Sequence, residues 1–290
     1  MDGTQIECIT PGDTILFHHL HKCAGNSFRA LALQNFRDSL GRVDYADKYY
    51  SLNIDPAHPD YYDNWPPEKQ QQIRFVWGHF QNWNTRDEIE RIVNKPYVLC
   101  TLVRYPIDRV LSAFWFYTQS NGHNDLYHQF KRFDLGQLVT DDVYAQMEPS
   151  MHHLLRSVMD NYLVRCLAGI TCHSKSRYVD SPYISVTEEH LQAAINNLEH
   201  NYSFVETSSN FSNCGRLLEA RFGWSKQDIL QSKKNENRLR KKNVGGPELI
   251  RAIEDMNRYD LELYNWVLKN KDRINTRPLI RIGEDYACIG

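Results

Sequence analysis

Apolar residues form four short runs, separated by stretches in which they return every three or four positions. Ile15-Leu16-Phe17 opens a strand-like run that continues through His18 to His21. From Gly25 onward, Phe28, Leu31, Leu33 and Phe36 recur at helical spacing, so a strand, a tight turn and a helix are predicted. Ile73-Arg74-Phe75-Val76-Trp77 is a second strand, stopped by Gly78. Residues 97–103 are continuously apolar, as a strand buried on both faces requires. Pro106 then falls at the first position of a helix whose Val110, Leu111, Phe114 and Tyr117 repeat on one face. Tyr202-Ser203-Phe204-Val205-Glu206 is the fourth strand, and helical patterns cover 153–168, 188–200, 211–222 and 247–269. Residues 37–72 are polar and read as loop with room for one short helix, while 119–152 read as an irregular insertion or lid.

Strands alternating with helices predict βαβ units. The expected fold is a single α/β domain over 1–290, three-layered, with a mainly parallel sheet flanked by helices. Its core spans about 14–268, and the tail 270–290 has no assignable role. In such sheets ligands bind beyond the carboxyl ends of the strands, which directs attention to the turns at 21–27, 78–82, 104–108 and 206–210.

Composition removes several functions. The 34 basic and 36 acidic residues nearly cancel, so no global field points to nucleic acid or a membrane surface, and any anion site must be local. Seven cysteines, an odd number without CxxC spacing, fit reduced and mostly buried thiols. The first residues lack a basic stretch followed by an apolar one, and no run reaches the roughly 18–20 apolar residues of a membrane helix. A cytoplasmic protein is expected.

Two segments carry candidate chemistry. His19-Leu20-His21-Lys22-Cys23-Ala24-Gly25-Asn26-Ser27-Phe28 joins a strand to a helix. Gly25 permits a tight turn. The amides of residues 24–28 lie at a helix N-terminus, where free N–H groups and the dipole favour an anion. Lys22 adds a charge and Ser27 a hydroxyl donor. This is not a Walker A loop, because the lysine precedes the glycine. An ordinary solvated strand-to-helix turn is the alternative. In the second segment, Arg104 leaves the buried strand and Ser112 lies two turns into the next helix, a pair able to clamp a second phosphate. An Arg–Asp surface pair is the alternative there.

Together these segments resemble the carbohydrate-type (family 2-like) sulfotransferases, specifically a soluble bacterial member. The first is similar to their 5′-phosphosulfate loop, HIPKxxGTS, and the second to their 3′-phosphate motif, RDPxxRxxSxYY. Trp77-Gly78-His79-Phe80 resembles the family's GH turn, Asp160 to Gly169 a helix of bacterial members, and Phe204-Val205-Glu206-Thr207 the VGxTE strand. Asn235 to Arg238, with the segment from Arg258 to Tyr264, resembles the basic loop and last helix. The departures are His21 for proline, Asn26 for threonine and Tyr105 for aspartate. Lys22, Gly25, Ser27, Arg104, Pro106, Arg109 and Ser112 are retained.

The resemblance implies transfer of a sulfuryl group from 3′-phosphoadenosine 5′-phosphosulfate (PAPS) by in-line displacement, without a metal. Lys22 is the candidate to neutralise the departing bridging oxygen, and His79 the candidate general base, a turn-capping structural histidine being the alternative. The donor would be held by Lys22, Cys23, Ala24, Gly25, Asn26, Ser27, Phe28, Arg104 and Ser112. Arg238, Arg240, Lys241 and Lys242 would close over it, unless they are only a solvated charge run. Candidate acceptor contacts are His21, Trp77, His79, Trp115, Asp141, Asp142 and Glu148; the acids would suit a cationic small molecule, such as a guanidinium-bearing natural product. His18, His19, His21 and Cys23 make a poor metal set, because strand alternation sends His18 away from the others. A nucleotide-dependent kinase and a catalytically dead nucleotide-binding protein are the competing readings.

Overall fold

The computed structural model describes residues 6–10, 12–36, 45–49, 67–68, 73–78, 96–119, 127–170, 183–224 and 246–283. All four predicted strands form: β1 (Thr14–His18), β3 (Phe75–Gly78), β4 (Tyr97–Val103) and β5 (Tyr202–Thr207). A fifth, β2 (Tyr45–Tyr49), joins them at one edge. Every pairing is parallel, in the order β2-β3-β1-β4-β5. From β1 the chain fills one side of the sheet, then begins the other with β4. The crevice of such a sheet lies where that order reverses, beyond His18 of β1 and Val103 of β4.

Both faces of the sheet are covered. Leu16, Val76, Leu99, Val103 and Val205 face α6 (Tyr162–Ala168), α7 (Glu188–Asn201) and α10 (Arg258–Thr276). The alternate residues Ile15, Phe17, Phe75, Val98, Cys100, Leu102 and Phe204 face α1 (Gly25–Asn35) and α8 (Gly215–Phe222). Because successive side chains point to opposite faces, a strand covered on both sides must be nearly all apolar, and in β4 the one hydroxyl in the middle of the run, Thr101, is satisfied by the His18 carbonyl at 2.9 Å. The result is the expected three-layer α/β architecture.

A third apolar cluster lies beyond the sheet. There α2 (Pro106–Gln119) packs with α3 (Tyr127–Phe130), α4 (Leu135–Leu138), α5 (Pro149–Met159) and α9 (Pro247–Met256). Phe130, Leu138 and Tyr144 are buried in it. The expected irregular lid is therefore, over 127–152, a packed helical cover, with an Asp134–Gln137 capping box at the start of α4.

Other expectations change as well. β1 stops at His18, where the Leu20 N–H turns back onto the His18 carbonyl at 3.1 Å, so His19 to His21 belong to the turn. The helical pattern over 153–168 breaks at Asp160–Asn161, and that over 247–269 breaks at Asn257 and runs on to Thr276. The tail acquires a role. Ile282 pairs with Tyr97, the Ile280 N–H reaches the Ser203 hydroxyl at 2.8 Å, and Arg281 grips Asp13 and Glu7. Cys23, Cys100, Cys166 and Cys214 are buried and not in disulfides, while Cys8 is exposed. Among the described residues, no helix is long and apolar enough to cross a membrane.

Candidate active site

The chain leaves β1 and reverses through residues 19–24 before α1 begins. Two non-glycine residues in this turn take the left-handed conformation, Lys22 with φ 67° and Ala24 with φ 65°. Such residues are uncommon, cluster at ligand sites and persist only where their surroundings hold them. Inside the turn the Cys23 N–H bonds the Leu20 carbonyl at 3.1 Å. The Ser27 and Phe28 N–H groups bond back to the Ala24 carbonyl at 2.9 and 3.3 Å. The N–H groups of Ala24, Gly25 and Asn26 have no acceptor among the described residues, although they stand at the N-terminus of an eleven-residue helix. Consecutive free amides at a helix start form a cradle for an anion.

Gly25 is required by a neighbour rather than by its own φ. A Cβ there would lie 1.9 Å from Cδ2 of His19, whose ring packs over it. His19 in turn stacks on Trp77 (centroids 5.3 Å apart), and Trp77 carries the Arg29 guanidinium 4.6 Å from its ring centroid. The His19 N–H also reaches the Gly78 carbonyl at 2.8 Å, tying the turn to the end of β3.

From the other side of the reversal, Arg104 follows β4 and its Nη1 donates to the Lys22 carbonyl at 3.0 Å. One guanidinium thus joins the two segments flanking the crevice. Ser112 sits at the surface limit of burial on α2, and its hydroxyl has no partner among the described residues. The Lys22 ammonium lies 4.1 Å from the centroid of the half-exposed Phe116 ring, also on α2. Burial lowers the Lys22 pKa below the usual lysine range. A desolvated ammonium interacts more strongly with an anion than a solvated one does.

His21 lies among aromatic rings, with Phe116 and Tyr117 each 5.3 Å and Tyr162 6.4 Å between centroids. Its N–H, which a proline here would lack, donates to the Tyr162 hydroxyl at 3.3 Å. Tyr162 carries the buried Arg109 guanidinium 5.0 Å from its ring centroid. Behind it the starts of two helices are crossed. Asp260 of α10 accepts from the Leu163 and Val164 N–H groups of α6 at 3.0 and 2.8 Å. Asn161, ahead of α6, accepts from the Tyr259 and Asp260 N–H groups of α10, both at 3.0 Å.

The expected donor residues Lys22, Ala24, Gly25, Asn26, Ser27, Arg104 and Ser112 occur on the two segments at the crevice; Cys23 lies there too, but its thiol is buried and its N–H is held by the Leu20 carbonyl, so it offers a ligand no donor. Phe28 has to be struck from that set, because its side chain is fully buried under the sheet and its N–H is already bonded. Trp77 is corrected as an acceptor contact. Its ring is buried and packs against His19 and Arg29, where it braces the turn. Trp115 is exposed on α2, and Glu148 is exposed at the start of α5. Asp141 and Asp142 begin a 3₁₀ turn, but their side chains lie outside what is described. His79, Arg238, Arg240, Lys241 and Lys242 also lie outside the described residues, His79 directly after β3. Among the described residues, no group of three or more His, Cys, Asp or Glu is placed to hold a metal.

His19 stands in the predicted turn motif and Phe116 in an aromatic set, Trp77, Trp115, Phe116 and Tyr117, that the sequence offers for an acceptor site or for core, but the sequence does not mark Tyr162 as part of the turn's surroundings. Only the retained Arg109, which stacks on Tyr162, hinted that this helix face mattered.

Comparison with known proteins agrees with this geometry. No curated protein matches the chain. A sulfotransferase family model matches residues 8–267, which takes in β1 to β5, the turn after β1 and the Arg104 segment. The chain belongs to the sulfotransferase family and is a transferase that moves a sulfuryl group.

Proposed function

We propose that the donor is PAPS and that the acceptor is a hydroxyl or amine of a small natural product or a carbohydrate. The observation that carries this reading is the turn at 22–26. Three adjacent amides without acceptors among the described residues lie beside a desolvated Lys22, tied through Arg104 to the segment that leads to Ser112. That arrangement suits a ligand with two separated phosphates better than one with a single triphosphate tail.

When bound, PAPS supplies the activated sulfuryl group and a bisphosphate leaving group. The amides of Ala24, Gly25 and Asn26, with the Ser27 hydroxyl, hold its 5′-phosphate, and Arg104 with Ser112 holds its 3′-phosphate. Arg238, Arg240, Lys241 and Lys242 close over the nucleotide. Lys22 neutralises charge on the bridging oxygen as the sulfur–oxygen bond breaks. Stabilising charge where it develops is the largest part of such catalysis, and positioning supplies much of the rest. His79 takes the proton of the acceptor hydroxyl as the new bond to sulfur forms. The half-exposed His21, Trp115 and Phe116 line the acceptor side, and Asp141, Asp142 and Glu148 favour a cationic acceptor.

Isothermal titration calorimetry with adenosine 3′,5′-bisphosphate tests the donor assignment. The wild type should bind it, and Arg104→Ala should weaken binding by roughly ten- to a hundred-fold, as loss of a charge-assisted contact does. A folded wild type that ignores the bisphosphate and binds ATP contradicts the assignment and favours a kinase.

A further inference from the structure

We propose that Tyr162 is a positioning residue for the donor turn: its hydroxyl, fixed by the crossed helix starts of α6 and α10, holds the His21 N–H and so keeps the 22–26 amides in their anion-binding conformation. The inference rests on the donor reading above and adds to it the device that keeps the turn ready.

A turn with left-handed residues at Lys22 and Ala24 relaxes to commoner dihedrals unless it is held from outside. The Gly78 carbonyl holds the His19 N–H where the turn begins, and further ties act nearer the 22–26 amides. Arg104 holds the Lys22 carbonyl, the Cys23 N–H is held by the neighbouring Leu20 carbonyl, and the His21 N–H is held by Tyr162. The first comes from a side chain that the proposed function gives to the 3′-phosphate, so it must serve two partners. The second is local and moves with the turn. The third comes from a residue 141 positions away, in a different helix.

That helix is a firm anchor. Tyr162 is 1% exposed, so its ring has little freedom to swing. Arg109 lies across the ring, and the backbone that follows is pinned when Asp260 takes the Leu163 and Val164 N–H groups. The residue before it is pinned too, by the Asn161 N–H bond to Asn257 Oδ1 at 3.0 Å. The hydroxyl is thus a fixed point from which the start of the turn hangs, immediately before Lys22. Pre-organisation of this kind strengthens binding by removing the ordering cost from the ligand.

Tyr162→Phe deletes the hydroxyl and keeps the ring. It should be compared with wild type by calorimetry against two probes, adenosine 3′,5′-bisphosphate and adenosine 3′-monophosphate. Only the first carries the 5′-phosphate that the turn holds. We expect affinity for the bisphosphate to fall by roughly five- to ten-fold, the usual worth of one hydrogen bond, with affinity for the 3′-monophosphate unchanged. An equal loss for both probes, or no loss for either, overturns the proposal, the former by marking Tyr162 as merely structural. If the wild type binds no bisphosphate, the donor reading fails and the brace fails with it. Should Tyr162→Phe not fold, hydrogen exchange of the wild-type His21 amide decides the matter: slow exchange is expected, and exchange as fast as in an open loop overturns it.

Discussion

Two helices in this molecule begin from the same unusual backbone, and they treat it in opposite ways. α1 starts after Ala24 and α6 after Asn161, both non-glycine residues in the left-handed conformation, with φ 65° and 44°. At α6 the chain supplies its own anion, because the Asp260 carboxylate takes the first N–H groups at 2.8–3.0 Å. At α1 no side chain among the described residues does so, and the amides of Ala24, Gly25 and Asn26 remain free beside Lys22. One device is closed from within as scaffold. The other is left open for an anion from outside, and the closed copy shows the chemistry that the open one wants.

The contrast can be broken from either side. Lys22→Met removes the charge beside the open copy and should cost the largest effect, a roughly 10²- to 10³-fold loss of sulfuryl transfer in a PAPS turnover assay, typical of deleting one transition-state stabiliser. Fold stability should scarcely change, and melting by circular dichroism checks this.

On the closed side, Asn161→Ala strips the acceptor for two N–H groups of α10 and the donor to the Met256 carbonyl. A loss of about 3 kcal/mol is expected, roughly 1 kcal/mol per buried bond, and urea unfolding reads it.

At Asp260 burial works against the two N–H donors, and pH reads the balance. Burial raises its pKa to about 6 from an ordinary 3.8, against the opposing effects of the two N–H donors and Arg109. The folded state therefore holds this proton more tightly than the unfolded one. Stability from this group is full below pH 4 and falls as pH rises to 6, by about 3 kcal/mol for a shift of roughly two units. In Asp260→Asn that slope should vanish, and its persistence would assign the slope to other groups.

Gly25→Ala should cost less stability than Asn161→Ala, about 1–3 kcal/mol for overpacking against the His19 ring. It should still weaken bisphosphate binding measurably, since the displaced ring belongs to the turn that carries the three amides. Stability lost with binding intact would mean that the turn tolerates rearrangement.

The open copy was legible in the sequence and the closed copy was not. Lys22, Gly25 and Ser27 lie within six residues, and Arg104 and Ser112 share one strand-to-helix joint, so their chemistry can be read locally. The apolar run of β4 was equally plain, because burial on both faces leaves little room for polar positions, and Thr101 alone does not break the pattern. The breaks at Asp160–Asn161 and at Asn257 were hidden, since apolar periodicity continues across them and only partners nearly a hundred positions away make the breaks stable. β2 escaped because Tyr-Ala-Asp-Lys-Tyr on a sheet edge carries no apolar stripe. Trp77 misled for a related reason. An aromatic beside a presumed catalytic turn fits a ligand as well as a brace until its neighbours His19 and Arg29 are known.

A crystal structure of the complex with adenosine 3′,5′-bisphosphate tests the central claim most directly. The account predicts the 5′-phosphate on the N–H groups of Ala24, Gly25 and Asn26 beside Lys22, and the 3′-phosphate between Arg104 and Ser112. A nucleotide bound elsewhere, or bound in the crevice with those three amides still without an acceptor, would contradict it.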